Sequence, residues 1–403
     1  MADMKKNDAD RFKKTPMLLA MMIIATGQVG VSIYLPSLPV ISEQLAVGQA
    51  QVQMLVTLFL LGFGLSQLFY GPMSDAIGRR PVFLLGQGVY LVGTVLCLSG
   101  ADSFTALEAG RLLQGLGAGS ASVLGRSVLR DSYDGVHLTK ALSYISVTAS
   151  IMPIISPVFG GWIAFHFGWQ AVFVFVLLYL SAIFILGWRI LPETLPYAKR
   201  RFRLSDVVVT YWQLIRNPQV ISSASFNWVS YLGSLVSLSV LPFLMQHQLG
   251  LSVAEYGSIM IIPSAGLLIG SVSLNVLNRF MSRSRLMLLA IAIIVFSGLW
   301  LLNTPTTIFN LTWAFTCLTI AQGMSFPLSL SMLLEPHKRQ AGAVSALSGS
   351  VQMCIAGLFG GYLVEHWVTN QDALGGFYLL VALSMITVLA LRQFRRLGGR
   401  EFA

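Results

Sequence analysis

The chain has 403 residues, of which 55% are hydrophobic and only 10% charged, with a formal net charge of +10. Soluble domains carry roughly 25% charged residues, so the deficit places most of this chain in a solvent that penalises charge. Cys97, Cys317 and Cys354 fall inside apolar runs without metal-site spacing, and the histidines sit in or beside polar gaps; this speaks against a disulfide framework and a buried metal or catalytic histidine.

Residues 1–15 are polar and basic, and the first apolar run, about Met17 to Leu38, is long enough to span a bilayer. It reads as a retained helix, because no short apolar stretch with a small-residue cleavage site is present. A spanning helix needs about 20 apolar residues. Further segments of that kind start near Val52, Val82, Phe104, Ala141, Gln170, Val220, Ala254, Leu286, Ile308, Gly342 and Leu374, which makes twelve. The expected fold class is therefore an all-α integral membrane protein.

A polar stretch from about Arg189 to Pro218 divides the segments into six and six. The expected organisation is an N-terminal bundle over 1–190, a linker over 191–217 and a C-terminal bundle over 218–403. Such halves predict an internal repeat with a site at their interface near the bilayer midplane. With the N-terminus inside, all of the 26 lysines and arginines except Arg111 fall at inner ends or in inner loops. Excess Lys and Arg mark cytoplasmic loops, so both termini are expected in the cytoplasm. The net charge is then a topology signal. Its dispersal over many short loops argues against nucleic-acid binding.

The loop between the second and third segments contains Gly71, Asp75, Gly78, Arg79, Arg80 and Pro81. The plain reading is a basic turn; the sharper one is a latch in which Asp75 meets an arginine while Gly71 and Gly78 permit close approach. The fourth segment carries Arg111, Gln114, Gly115, Ala118 and Ser122 on one small, polar face, with Gly117 beside it. Small residues let helices pack closely. They do not account for Arg111, because a charge within the membrane is expensive and faces an interior or a wet cavity. Glu108, one turn earlier, is placed to pair with it. The fifth segment contains Pro153, Ser156, Pro157, Gly160 and Gly161, which signal a kink and a close packing face.

Together these motifs resemble the major facilitator superfamily. The loop matches its G-x-x-x-D-x-x-G-R-R signature, and the fourth segment its R-x-x-Q-G-x-G-A stretch, where the arginine is implicated in proton coupling. The fifth segment resembles the G-P-x-x-G-G antiporter motif, with Ser156 in place of the first glycine. The end of the first segment, Ser32 to Pro39, resembles the D-x-Y-L-P-x-L-P stretch of the Bcr/CflA group, with Ser32 at the aspartate position as in EmrD-like pumps. Pro192-Glu193-Thr194 is a further family-like feature. In the C-terminal half the loop from Asn278 to Arg285 is a degenerate second copy of the signature that lacks the acid. The resemblance implies two six-helix bundles in a bacterial inner membrane and multidrug efflux by proton antiport.

On this reading the proton gradient supplies the energy and no cofactor is needed. The chain has no G-x-x-x-x-G-K-[ST] motif for direct use of ATP. The partners are small hydrophobic drug-like molecules, protons and the lipid bilayer, with the monomer as the working unit. Proton coupling is expected at Glu108 with Arg111, or at Asp75. Gln28, Ser32, Arg111, Asn227, Trp228, Tyr231, Gln322 and Gln352 are the candidate substrate-lining residues. Ordinary interhelical hydrogen bonding is the competing reading for each of them. An exporter of one metabolite, an importer or uniporter, and an intramembrane enzyme are the alternatives. For the last, no nucleophile–base or metal constellation is visible.

Overall fold

The structure, a computed structural model, describes residues 14–133, 135–195 and 203–398. Among these residues the regular structure is helical throughout. The long helices are α1 (Lys14–Ser32), α2 (Gln49–Ile77), α3 (Arg79–Ser99), α4 (Phe104–Ser132), α5 (Gly135–Phe167), α6 (Trp169–Ile190) and α7 (Pro218–Phe243). They continue with α8 (Val253–Leu277), in which Met260 interrupts the helix, and with α9 (Arg283–Asn303), α10 (Ile308–Leu334), α11 (Ala341–His366) and α12 (Gln371–Gly398). Ten spans among the described residues are long and apolar enough to cross a membrane. Side chains such as Leu178, Val272 and Phe280 lie bare on the outside, at 66%, 62% and 77% exposure. An apolar solvent around the bundle accounts for that surface.

The punctuation is local chemistry. The Asn217 side chain accepts from the Gln219 N–H and Pro218 opens α7, a preorganised helix start. Ser252 and Glu255 form a reciprocal capping box at the start of α8. Gly78, with φ of 116°, lets the chain reverse between α2 and α3, a conformation that L side chains rarely adopt.

The first segment departs from its expected form. Its helix ends at Ser32 and is followed by a 3₁₀ turn, Leu35–Ser37, and a short helix, Leu38–Gln44. Pro36 and Pro39 lack the N–H groups that a continuous helix requires, so the run bends and extends beyond Leu38.

The short helix Leu204–Ile215 lies between α6 and α7. One apolar cluster is built from residues of the second half, including Phe226, Ile291, Leu318 and Tyr378. Another joins Val29, Tyr34, Phe59 and Tyr90 of the first half to Leu235, Phe243 and Met353 of the second. The halves touch through α2 and α11, where Thr57 Oγ1 donates to the Gly357 carbonyl at 3.1 Å. They also meet through α5 and α8, and at the end away from the basic loops His247 Nε2 lies 3.1 Å from Glu43 Oε1.

Candidate functional site

Arg111 is 2% exposed. It sits about 10 Å along α4 from the start at Phe104, at a rise of about 1.5 Å per residue. Its Nη1 donates to Gln114 Oε1 at 2.6 Å, Nη2 to the Gly30 carbonyl at 3.1 Å and Nε to the Leu55 carbonyl at 3.3 Å. The guanidinium lies 3.9 Å from the Tyr34 ring centroid and 4.2 Å from that of Phe59. The charge is thus held by backbone dipoles of α1 and α2, one amide oxygen and two π faces. Each charge-assisted hydrogen bond contributes about 1.5–3 kcal/mol, and a desolvated cation–π contact about 2 kcal/mol.

The expected pairing with Glu108 is corrected here. Glu108 is half-buried and forms no ion pair with Arg111 among the described residues. The three acceptors lie on α1, on α2 and one turn further along α4, and they draw the guanidinium to those neighbours. A second layer supports it. Gln114 Nε2 donates to Thr94 Oγ1 at 2.9 Å, and Thr94 donates to the Tyr90 carbonyl at 2.9 Å. Gly115 and Gly117 make this packing possible. A Cβ on Gly115 would run into the Phe59 carbonyl, and one on Gly117 into the Tyr90 backbone.

At the basic end, Arg79 is the hub. Its side chain meets Asp75 at 2.6 Å and Asp131 at 2.9 Å, and donates to Ser74 Oγ at 2.5 Å. Its backbone N–H donates to Glu193 Oε1 at 2.8 Å, and Arg80 donates to the Trp188 carbonyl at 2.6 Å. The expected latch therefore binds the ends of α2, α3, α4 and α6. Gly78 fits its role, since a Cβ there would strike Glu193. Gly71 does not, because among the described residues a methyl would meet only Val123, at 3.7 Å. Tyr211 of the linker helix donates to the Leu68 carbonyl at 3.2 Å, and burial pushes its hydroxyl up to about 12, which keeps it a donor.

The second half holds a counterpart. Arg283 Nη1 lies 2.7 Å from Glu335 Oε2. Arg283 and Glu335 are 52 residues apart, as are Arg79 and Asp131. The step from Arg79 to Arg283 also carries the start of α4, Phe104, to that of α10, Ile308. It carries Asp75 to Arg279. The acid missing from the second loop is thus absent at the Asp75 position but present at the Asp131 position.

The fifth-segment motif forms a seam. Pro153 is half-buried and Pro157 buried. A Cβ on Gly160 would hit the Ile33 carbonyl of the first segment, and one on Gly161 would lie 2.6 Å from the Val253 carbonyl of α8. The seam therefore closes α5 on the opposite half at the end away from the basic loops.

The proposed lining residues are brought together only in part. Ser234 donates to Gln322, and Trp228 Nε1 donates to the Ser348 carbonyl at 2.9 Å. Tyr231 packs on the cluster that contains Tyr34 and Phe59. Asn227 is 3% exposed and its Oδ1 has no partner among the described residues; Tyr34, at 1% exposure, lies against the Arg111 guanidinium. Gln28 and Ser32 meet each other through the Gln28 carbonyl. Gln352 is buried without a side-chain bond to the others. Tyr34 and Phe59 were not among the expected site residues; the motif that contains Tyr34 was their one sequence signal.

The family description Major Facilitator Superfamily matches residues 17–361. Multidrug resistance protein D of Escherichia coli K12 is 28% identical over 387 residues, covering 92% of this chain and 93% of that protein. Multidrug resistance protein MdtL of Escherichia coli K12 is 27% identical over 354 residues, covering 88% of each. Among solved structures, a point mutant of the nucleoside transporter NupG aligns with a TM-score of 0.70 at 13% identity, covering 94% of this chain and 98% of that one. A D-xylose–proton symporter aligns at 0.68 and 14%, covering 93% and 97%.

Proposed function

The chain belongs to the major facilitator superfamily, and from that premise we propose that it exports small hydrophobic drugs across a bacterial inner membrane by proton antiport. The superfamily is one of transporters rather than enzymes. Relatives of nearly full length that carry the name multidrug resistance protein support the substrate class. The neighbours that carry sugar and nucleoside names share the fold alone, at 13–14% identity. Ser32 and the Tyr34-Leu35-Pro36 stretch favour an EmrD-like member of the Bcr/CflA group.

Residues 1–190 and 218–403 act as two bundles that rock about their interface, with both termini in the cytoplasm and the monomer as the working unit. The observation that carries the reading is Arg111, a buried cation without a carboxylate partner among the described residues, held against Tyr34. A substrate or a rearranged carboxylate that competes for this guanidinium shifts the balance between states. A cation close to a carboxylate favours the carboxylate's charged form, and a carboxylate that loses the cation takes up a proton, which links substrate to proton through Glu108 and Arg111; Asp75, coupled to the basic-end latch through Arg79, is the alternative carrier. The proton gradient is the energy source and no cofactor takes part. Tyr231, Asn227, Trp228 and Gln322 offer an adaptable, mostly neutral surface.

Dye uptake into inverted vesicles energised with a pH gradient tests this. Wild-type uptake is abolished by an uncoupler and is lost in Arg111→Ala. Uncoupler-insensitive uptake sinks proton coupling, and resistance confined to one metabolite favours the specific exporter.

A further inference from the structure

The linker helix, Leu204–Ile215, is tied to both halves by one face. Leu214 is buried with Val220 of α7, Leu333 of α10 and Val344 of α11. Tyr211 donates to the Leu68 carbonyl of α2 at 3.2 Å. Val207 is half-buried. These three positions recur at steps of four and three residues, the spacing of a single helix face.

A second apolar face of the same helix is bare among the described residues. Leu204, Val208, Trp212 and Ile215 are between 41% and 58% exposed. At about 100° per residue they fall within an arc of about 80° that adjoins the buried face. Asp206 and Gln213 are exposed on the far side. The helix thus has three sides: one against the bundle, one apolar and open, and one polar. Arg203 precedes it and Arg216 follows it. The Arg216 guanidinium lies 4.4 Å from the centroid of the Trp212 ring.

We infer that the open apolar side is seated in the headgroup layer of the bilayer, so that the linker helix is a membrane-surface anchor. The neighbouring surface chooses lipid as the occupant. Leu65 and Phe69 flank Leu68 on α2 and are 49% and 44% exposed, so the apolar arc continues a surface that a spanning helix already turns to the bilayer. A helix with one apolar and one polar side lies in the plane of a membrane interface. The Trp212–Arg216 pair suits that layer, because an indole settles at headgroup level and a guanidinium reaches out to the phosphates. The contact requires only that the bundle spans a membrane; it does not depend on which substrate is carried. Because the same helix holds Leu68 of the first half and Val344 of the second, the anchor ties the inner ends of α2 and α11 to the bilayer surface.

The full chain carrying Val208→Cys or Gln213→Cys tests this, with Cys354→Ser in both because Cys97 and Cys317 are buried and Cys354 is only partly so. Each variant is labelled with a bimane fluorophore and reconstituted into phosphatidylcholine–phosphatidylglycerol vesicles. Quenching is measured with a phospholipid that bears a nitroxide high on its acyl chain, and separately with iodide on both sides of the vesicle. The label at position 208 is expected to be quenched by the lipid nitroxide at least threefold more than the label at 213, and the order is expected to reverse with iodide. Equal iodide quenching at the two positions without lipid quenching at 208 overturns the anchor. A label at 208 shielded from both quenchers overturns lipid as the occupant and points to a second copy or another protein over that face. If Val208→Cys does not fold, Leu204→Cys reports the same arc and is judged by the same outcomes.

Discussion

Replacing Arg111 by lysine separates charge from shape. The ammonium keeps the positive charge but has a single nitrogen, whereas the guanidinium reaches Gln114, Gly30 and Leu55 through three. One nitrogen cannot stand where three did, so up to two of those contacts are lost, together with the planar stacking on Tyr34 and Phe59. Two charge-assisted hydrogen bonds at about 1.5–3 kcal/mol each set an upper range of about 3–6 kcal/mol. The two carbonyls belong to helical segments, and part of that loss is recovered by the remaining nitrogen. A net cost of about 3 kcal/mol is therefore expected, on the order of a hundredfold in any equilibrium in which only one state makes these contacts. Gradient-driven dye uptake in inverted vesicles is expected to fall at least tenfold, with the thermal midpoint lowered by several degrees. Uptake at the wild-type rate in Arg111→Lys would show that a charge alone suffices, and would refute the argument from the three-pronged fit.

Three further outcomes follow from named contacts. Asp131→Ala removes a partner whose side chain is 8% exposed, against 48% for Asp75, so Asp131→Ala is expected to cost about 3 kcal/mol and Asp75→Ala at most about 1 kcal/mol; thermal unfolding of the two variants in the reverse order contradicts the burial argument. Gly115→Ala drives a methyl into the Phe59 carbonyl, and the strain of about 1–3 kcal/mol outweighs a helix-propensity gain of about 1 kcal/mol, so the variant unfolds at lower temperature than wild type. Glu108→Gln is expected to abolish substrate-induced proton movement while dye binding persists, and unchanged proton movement would remove Glu108 from the mechanism and leave Asp75.

The positions of most of the spanning helices were legible because a span needs a long apolar run, which ten of them carry among the described residues. The structure starts them within a few residues of Val52, Phe104, Val220 and Leu374. Phe104 and Ile308 match to the residue, while the fifth begins at Gly135 rather than Ala141. The burial of Arg111 was legible from an arginine inside an otherwise apolar and small-residue helix. Its partners were not. The Gly30 and Leu55 carbonyls and the Tyr34 and Phe59 rings come from helices far away in the chain, and backbone acceptors leave no trace in a sequence. Glu108 was drawn in by helical spacing, which fixes who is near along one helix but not who competes from the next. The pairing of Glu335 with Arg283 was not legible for a related reason: the acid that completes the second-half pair lies 52 residues downstream of Arg283 rather than within its loop.

Coupling of substrate to protons is the central claim, and proton release is its most direct test. Wild-type protein in detergent, weakly buffered and without an imposed gradient, is mixed with a hydrophobic drug while the pH is followed with an indicator dye. The account predicts that the drug displaces protons into solution, with the release saturating as the drug does, and that Arg111→Ala releases none. Drug binding by the wild type without any change in bound protons would contradict it.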